Sequence, residues 1–338
     1  MVEGGLLKVL YQHFLSGMAI KLNHRGVVFG RERSDALNYF LLTIKKSTVL
    51  QEIMTTAQSL SRLHWTYLHQ LQKTSKKSII LLVHATFQRQ LLQPIDEFFL
   101  FLVFLSVSLK ERDLAHRFNI HQSTVSRIIA TWTSFLATAL GSQCIWLTRE
   151  EVQAYLPEEF KDFSDTQMIL DCTELRCQTP SSPLLQSEMY SSYKSHCTMK
   201  TLVGIAPHGP VTFISNLYAG SVSDKELFKQ SGIAEKLTED MAVMVDKGFL
   251  ITDCCKCKVY CPPFLSKQKQ MPAYQVKETQ AIARLRVHVE RVIRRIKQNK
   301  LFDSIITMSH VYNINQLFAV ACMLSNYQNT ALVKKWVK

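Results

Sequence analysis

The 338-residue chain is 47% hydrophobic and 20% charged, which excludes a disordered polymer and leaves ample material for a buried core. Its net charge of +13 is unevenly spread: 12 basic against 4 acidic side chains over residues 1–90, 13 against 20 over 91–254, 12 against 2 over 255–300, and 3 against 1 over 301–338. The longest apolar run, Phe98 to Leu109, is 12 residues, short of the ~20 that cross a bilayer, so it reads as a buried helix and no membrane partner is expected.

Residues 1–93 read as a poorly defined, mainly helical region with a basic Lys73-Thr74-Ser75-Lys76-Lys77 stretch and no motif tied to chemistry. Over 94–145 the pattern predicts three helices: Asp96–Leu109, Lys110–Phe118, and, after Asn119-Ile120-His121, one from about Gln122 to Leu140. Two short helices joined by a tight turn form a helix-turn-helix, whose second helix can enter a major groove. Gln122, Ser123, Thr124 and Arg127 occupy its early turns and suit base edges and phosphates. A three-helix bundle that touches no DNA satisfies the same spacing.

Residues 165–330 change character. Met168–Leu175, Met199–Ala206 and Val211–Tyr218 read as an antiparallel three-strand meander, the last two joined at Pro207-His208-Gly209-Pro210. A helix near Asp224–Gln230, a fourth strand Met241–Asp246, and helices over Lys277–Lys300 and Tyr312–Asn326 follow. This order predicts an α/β fold: an RNase H-like mixed sheet with flanking helices, preceded by the all-α helix-turn-helix region.

Three acids fall on this scaffold. Asp171 ends the apolar run Met168-Ile169-Leu170, Asp246 ends Met241–Val245, and Glu290 lies beside the apolar stripe Leu285, Val289, Val292, Ile293 and Ile296. Two strand tips and a helix face can gather carboxylates around Mg²⁺ or Mn²⁺, hard cations that take oxygen ligands and in pairs cut phosphodiesters. Taken singly, Glu290 between Arg286 and Arg294 is an ordinary surface ion-pair residue, and Asp171 and Asp246 are ordinary strand-end acids. The basic flanks would hold a polyanion while cations collect at the acidic centre.

Five motifs carry a resemblance over about residues 95–330: Ile169-Leu170-Asp171-Cys172-Thr173-Glu174, Tyr190-Ser191-Ser192-Tyr193-Lys194-Ser195, Gly220-Ser221-Val222-Ser223-Asp224, Val245-Asp246-Lys247-Gly248-Phe249 and Leu285-Arg286-Val287-His288-Val289-Glu290-Arg291. In order and spacing they resemble the Harbinger-type DDE transposases and their domesticated relatives. The resemblance implies a DNA endonuclease and strand transferase, with Asp171, Asp246 and Glu290 as catalytic metal ligands and a divalent cation as cofactor. Asp224 is the rival for the second position, Asp246 being preferred as the tip of a strand beside the first. Arg286, Arg291, Arg294 and Arg295 would lie near the phosphates. Residues 1–90 lack the Cys/His zinc-binding module that often precedes this nuclease in relatives.

The expected partners are DNA, a separate DNA-binding protein and further copies of the chain; the expected location is the nucleus, with the cytoplasm as alternative. The nine cysteines show no secreted disulfide spacing and the N-terminus no signal-peptide pattern, which points to a reducing compartment. Cys254, Cys255, Cys257 and Cys261 lack a second pair at zinc-finger distance. Glu174 is expected along the first strand, outside the metal site, while Tyr190, Tyr193, Lys194 and His196 form a basic, aromatic loop that suits DNA or a plain hairpin surface. The competing function is a catalytically silent DNA-binding protein acting through the helix-turn-helix. An RNA-cleaving RNase H-like enzyme fits the core but leaves the helix-turn-helix without a role.

Overall fold

The structure, a computed structural model, describes Leu92 and residues 94–141, 145–263 and 271–328. Apart from Leu92, the expectations for residues 1–93 lie outside the described residues.

Helix α1 (Pro94–Val107) is buried from Phe98 through Leu105, as a helix apolar on every side must be. Helix α2 (Glu111–Phe118) stops at Asn119, whose φ of 53° is a left-handed conformation that asparagine tolerates. Helix α3 (Gln122–Gly141) buries one stripe, including Val125, Ile129, Trp132 and Leu136. The helix-turn-helix expected from spacing is therefore present. Helix α4 (Arg149–Ala154) starts on a capping box, in which the Thr148 hydroxyl accepts from the Glu151 N–H and the Glu151 carboxylate from the Thr148 N–H. A 3-10 turn over Glu158–Phe163 leads into the sheet.

Strand β1 (Thr166–Arg176) is followed by helix α5 (Pro183–Met189) and a two-residue strand β2 (Tyr190–Ser191). Strands β3 (His196–Ile205), β4 (Val211–Ile214) and β5 (Tyr218–Ala219) come next, then helix α6 (Asp224–Gln230), capped by the Ser223 hydroxyl. Strands β6 (Ala242–Met244) and β7 (Lys258–Tyr260) complete the sheet, and helices α7 (Ala273–Lys297), α8 (Lys300–Asp303) and α9 (Ile314–Gln328) end the described chain. Among the described residues no helix is long and apolar enough to cross a membrane.

The sheet has seven strands in the order β2-β3-β1-β6-β7, with β4 and β5 also pairing β3. β1 runs antiparallel to β3 and parallel to β6, and β6 runs parallel to β7. Alternation along β1 feeds two cores. Ile169 and Leu175 join α1, α3, α7 and α9 on one face, while Met168 and Leu170 join Leu227, Phe228 and Ile251 on the other. The helix-turn-helix and the sheet thus share one hydrophobic core, with α3 packed on α9.

Three readings of the sequence are corrected. The run Val211–Tyr218 is two strands, broken where the Ser215 hydroxyl accepts the Leu202 N–H at 2.9 Å in place of a ladder carbonyl. Asp171 is interior to β1, since β1 continues against β3 to the pair Arg176↔Thr198. The fourth strand ends at Met244, because Asp246 turns the chain with Phe249 N–H on its carbonyl. Helix α5 and strand β2, which carry no buried apolar stripe to announce them, were not anticipated.

Candidate active site

Register brings the first two acids together. The last parallel pair between β1 and β6 is Ile169↔Met244, and both residues face the helix-side core. Asp171 lies two residues beyond that pair within β1, so the two-residue period returns it to the same face, and Asp246, two residues beyond it in the turn after β6, reaches the same guanidinium. The Asp171 carboxylate accepts the Cys172 N–H at 3.0 Å, and that of Asp246 accepts the Lys247 N–H at 2.8 Å.

Glu290 comes from above. Helix α7 buries Ile282, Leu285, Val289, Val292 and Ile296 against the sheet, which leaves Glu290 at the margin of that stripe. Arg286, one turn earlier, reaches all three acids: Nη1 lies 3.6 Å from Asp171 Oδ2, Nε 3.5 Å from Asp246 Oδ1, and Nη2 donates to Glu290 Oε1. Three carboxylates on three elements therefore converge on one guanidinium.

Electrostatics single out Asp171. Burial pushes its carboxyl up to about 6, against the pull of Arg286 and the Cys172 N–H, and the neighbouring Asp246 and Glu290 charges push the same way as burial. Asp246 and Glu290 are more open, with side chains 56% and 48% exposed. A cleft of about 520 Å³ runs from Asp171 and Glu290 past Arg294, Lys297 and Lys300, with Asp246 outside its lining. Lys297 donates to the Glu174 carbonyl at 2.8 Å, and burial lowers its ammonium pKa. Sequence reasoning missed Lys297 and Lys300, although Lys297 follows Glu290 by seven residues and so lies on the same helix face. Arg291 and Arg295 do not line the cleft; they neighbour each other on a different flank of α7.

Asp224 is elsewhere. It lies 3.2 Å from Lys200 Nζ, which also lies 3.7 Å from Glu174 and donates to the Val222 carbonyl at 2.9 Å. The Thr198 hydroxyl donates to Glu174 at 2.7 Å. Burial and the adjacent Asp224 hold the Cys172 thiol protonated. Cys172 and Glu174 sit on the strand face opposite Asp171, so the cluster of Asp224, Lys200 and Glu174 is distinct from the three converging acids.

In the helix-turn-helix, Ser123 and Arg127 are exposed and Thr124 is half-buried. Gln122 is tied back to α2, accepting from Arg112 Nε at 3.2 Å and donating to Glu111 at 3.5 Å, while Ser123 meets the His121 ring at 2.7 Å. Beneath Arg127, burial pushes the Glu97 carboxyl up to about 7, opposed by the Trp132 indole and the Arg127 charge. Tyr193 stands 83% exposed in its loop, with Lys194 over its ring. The Cys255 and Cys257 sulfurs lie 3.0 Å apart, while Cys261 points at the Asp246 carbonyl and Cys254 at the Asp253 carboxylate.

Among the described residues no three His, Cys, Asp or Glu side chains surround a common point as an ion would require. At the converging acids the guanidinium takes that centre as a stand-in cation. The donor set itself, carboxylate oxygens without imidazole or thiolate, matches a hard divalent cation such as Mg²⁺ or Mn²⁺.

A mixed sheet whose central strand and parallel neighbour turn acids toward a helix bearing a third defines an RNase H-like fold of the nuclease kind. Residues 170–326 match the family model of the DDE superfamily endonuclease, and residues 89–142 match that of the helix-turn-helix of DDE superfamily endonuclease. The chain belongs to the DDE superfamily endonucleases, a family of transposase-type nucleases. No curated protein and no solved structure matches it.

Proposed function

We propose that this chain is a Harbinger-type transposase nuclease that cuts DNA and transfers the strand, using Asp171, Asp246 and Glu290 as a metal-holding triad. The observation that carries the reading is the meeting of these three carboxylates, drawn from β1, the turn after β6 and α7, on the single guanidinium of Arg286. A bound Mg²⁺ or Mn²⁺ would supply an activated water or hydroxyl nucleophile and stabilise the leaving oxygen.

The chain's own groups do the rest. Asp171, the most buried of the three, is fixed by the β1 ladder and by the Cys172 N–H, so its oxygen is pre-aimed. Glu290 and Asp246, more exposed, face the side from which a duplex would approach. Arg294, Lys297 and Lys300 line the cleft beyond the acids and would hold the phosphates flanking the cut. Ser123, Thr124 and Arg127 would meet the duplex through the early turns of α3, with Gln122 reaching a base only after release from Arg112 and Glu111. Work on chromosomal DNA would put the protein in the nucleus.

The test is a nicking assay of the full chain on duplex DNA carrying candidate terminal repeats, with Mn²⁺ against EDTA. Metal-dependent nicks that vanish in Asp171→Asn support the reading. Equal residual activity in both proteins, or none in either with verified ends, supports a silent DNA-binding protein instead.

A further inference from the structure

Arg286 has a peculiar position for a residue expected to meet phosphate. Its Nη1, Nε and Nη2 atoms are each directed to a different carboxylate, Asp171, Asp246 and Glu290 in turn. The side chain is only 16% exposed, less than any of the three acids it joins. Three carboxylates and one guanidinium leave a local charge of −2, so the cluster still attracts a cation. Yet Glu290 Oε1 accepts a hydrogen bond from Nη2, Asp246 Oδ1 accepts the Lys247 N–H, and the guanidinium itself stands as the counter-charge 3.6 Å from Asp171 Oδ2 and 3.5 Å from Asp246 Oδ1, where an ion would have to sit. A carboxylate lone pair that accepts an N–H cannot at the same time be given to a hard cation.

We propose that Arg286 is a built-in competitor of the first divalent cation. It is a positioning residue that gathers the three carboxylates in metal-free protein and swings off them when an ion takes its place. The inference rests on the reading of these acids as metal ligands. The fork geometry of arginine suits the gathering role, since one planar group serves three acceptors where an ammonium would act as a compact point charge. Arg286 and Glu290 share one face of α7, one turn apart, so leaving the centre requires rotation of a side chain and no movement of the helix. The exposed flanks of Asp246 and Glu290 give the ion its way in. The arrangement keeps the cluster from flying apart under its own repulsion, and it weakens the first metal-binding step as the cost.

The test is calorimetric titration of Mn²⁺ into the metal-free full chain, for wild type, Arg286→Gln and Arg286→Lys, together with melting curves in EDTA and in Mn²⁺. Arg286→Gln should bind Mn²⁺ about tenfold more tightly, the scale of one lost competing interaction. It should melt below wild type in EDTA and recover that loss in Mn²⁺. Arg286→Lys, which keeps the charge, should stay closer to wild type in affinity. A second measurement needs no variant: labelling of wild-type Arg286 by phenylglyoxal, read by peptide mass spectrometry, should rise when Mn²⁺ is added. Wild type that binds Mn²⁺, with Arg286→Gln no tighter and labelling flat or falling, overturns this proposal alone. Folded wild type that binds no Mn²⁺ overturns the ligand reading along with it.

Discussion

The two faces of β1 carry two acid clusters built from the same residue types, and they differ in what is left over. On one face Glu174 and Asp224 share Lys200, the Thr198 hydroxyl donates to Glu174, and Lys200 also donates to the Val222 carbonyl. Glu174 and Lys200 are 8% and 12% exposed, so their pair is mostly buried, and Asp224, 43% exposed, leaves one surplus charge at the rim against two on the other face. On the other face three acids share one guanidinium, two of them about half open to solvent, and the third has its carboxyl raised to about 6. An acid on a strand is therefore not by itself a site. Surplus negative charge facing a cleft is what separates a structure that holds itself together from one prepared to hold something else.

The largest expected effect separates the faces by activity. Asp171→Asn should cut metal-dependent cleavage by about 10³-fold, the scale of losing a principal electrostatic stabiliser, with DNA binding nearly intact. Asp224→Asn should leave the rate per folded molecule close to wild type. A nicking time course on both variants checks this, and a collapse in Asp224→Asn with full activity in Asp171→Asn would reverse the comparison.

Stability should show the opposite order. Lys200→Met strands Glu174 as a buried, uncompensated charge, and should cost ~3 kcal/mol by urea denaturation. Cleavage at temperatures where the variant stays folded should persist.

The pH dependence follows from Asp171. Its carboxyl is raised from 3.8 to about 6, so the native state binds more protons than the unfolded chain between those values. Metal-free protein should therefore lose stability as pH rises from about 4 through 6, by about 3 kcal/mol from this group. Asp171→Asn should remove its share of that slope, leaving the share of Glu97, whose carboxyl burial likewise raises to about 7, and should stand level with or above wild type at pH 7. Urea midpoints in EDTA across pH 4–8 measure it; a slope undiminished in Asp171→Asn would assign the whole effect to Glu97 or another group. Mn²⁺ affinity should likewise weaken below pH 6, where the proton competes for Asp171.

The smallest effect concerns DNA. Arg294, in the cleft, and Arg127, on α3, should each contribute about one unit to the salt dependence of binding when replaced by Ala. Lys225, paired with Asp253 at 2.6 Å on the Lys200 side of the sheet, should contribute none. Filter binding across a salt series distinguishes them.

Much of this architecture was legible in the chain alone. Periodicity is a local property, so the three helices of 94–141, helix α6, the stripe on α7, and the long strands β1 and β3 could be read from runs of apolar residues. The motifs carrying Asp171, Asp246 and Glu290 marked the family and the three acids before any contact was known. Strand ends were less legible, because Asp171 continues in β1 through pairing with β3, a partner some 30 residues away. The break at Ser215 was hidden for the same reason: it depends on an N–H from Leu202. Helix α5 and strand β2 were invisible because they bury almost nothing and so leave no pattern.

What only the tertiary structure decided was which acids meet. Along the chain Asp224 and Asp246 are rivals, with Asp246 preferred only because it ends a strand read as lying beside the first. The register of β6 on β1 sends one to the α7 face, and the turn before α6 sends the other to Lys200. The turn is held by Gly220, where a Cβ would stand 2.2 Å from the Thr198 hydroxyl. The role of Arg286 was decided in the same way. Sequence placed it four residues from Glu290, which suggests a surface ion pair. Its contacts with Asp171 and Asp246 exist because a parallel strand pair and a helix packed across it bring residues 171, 246 and 286 within reach of one another, and no local spacing encodes that distance.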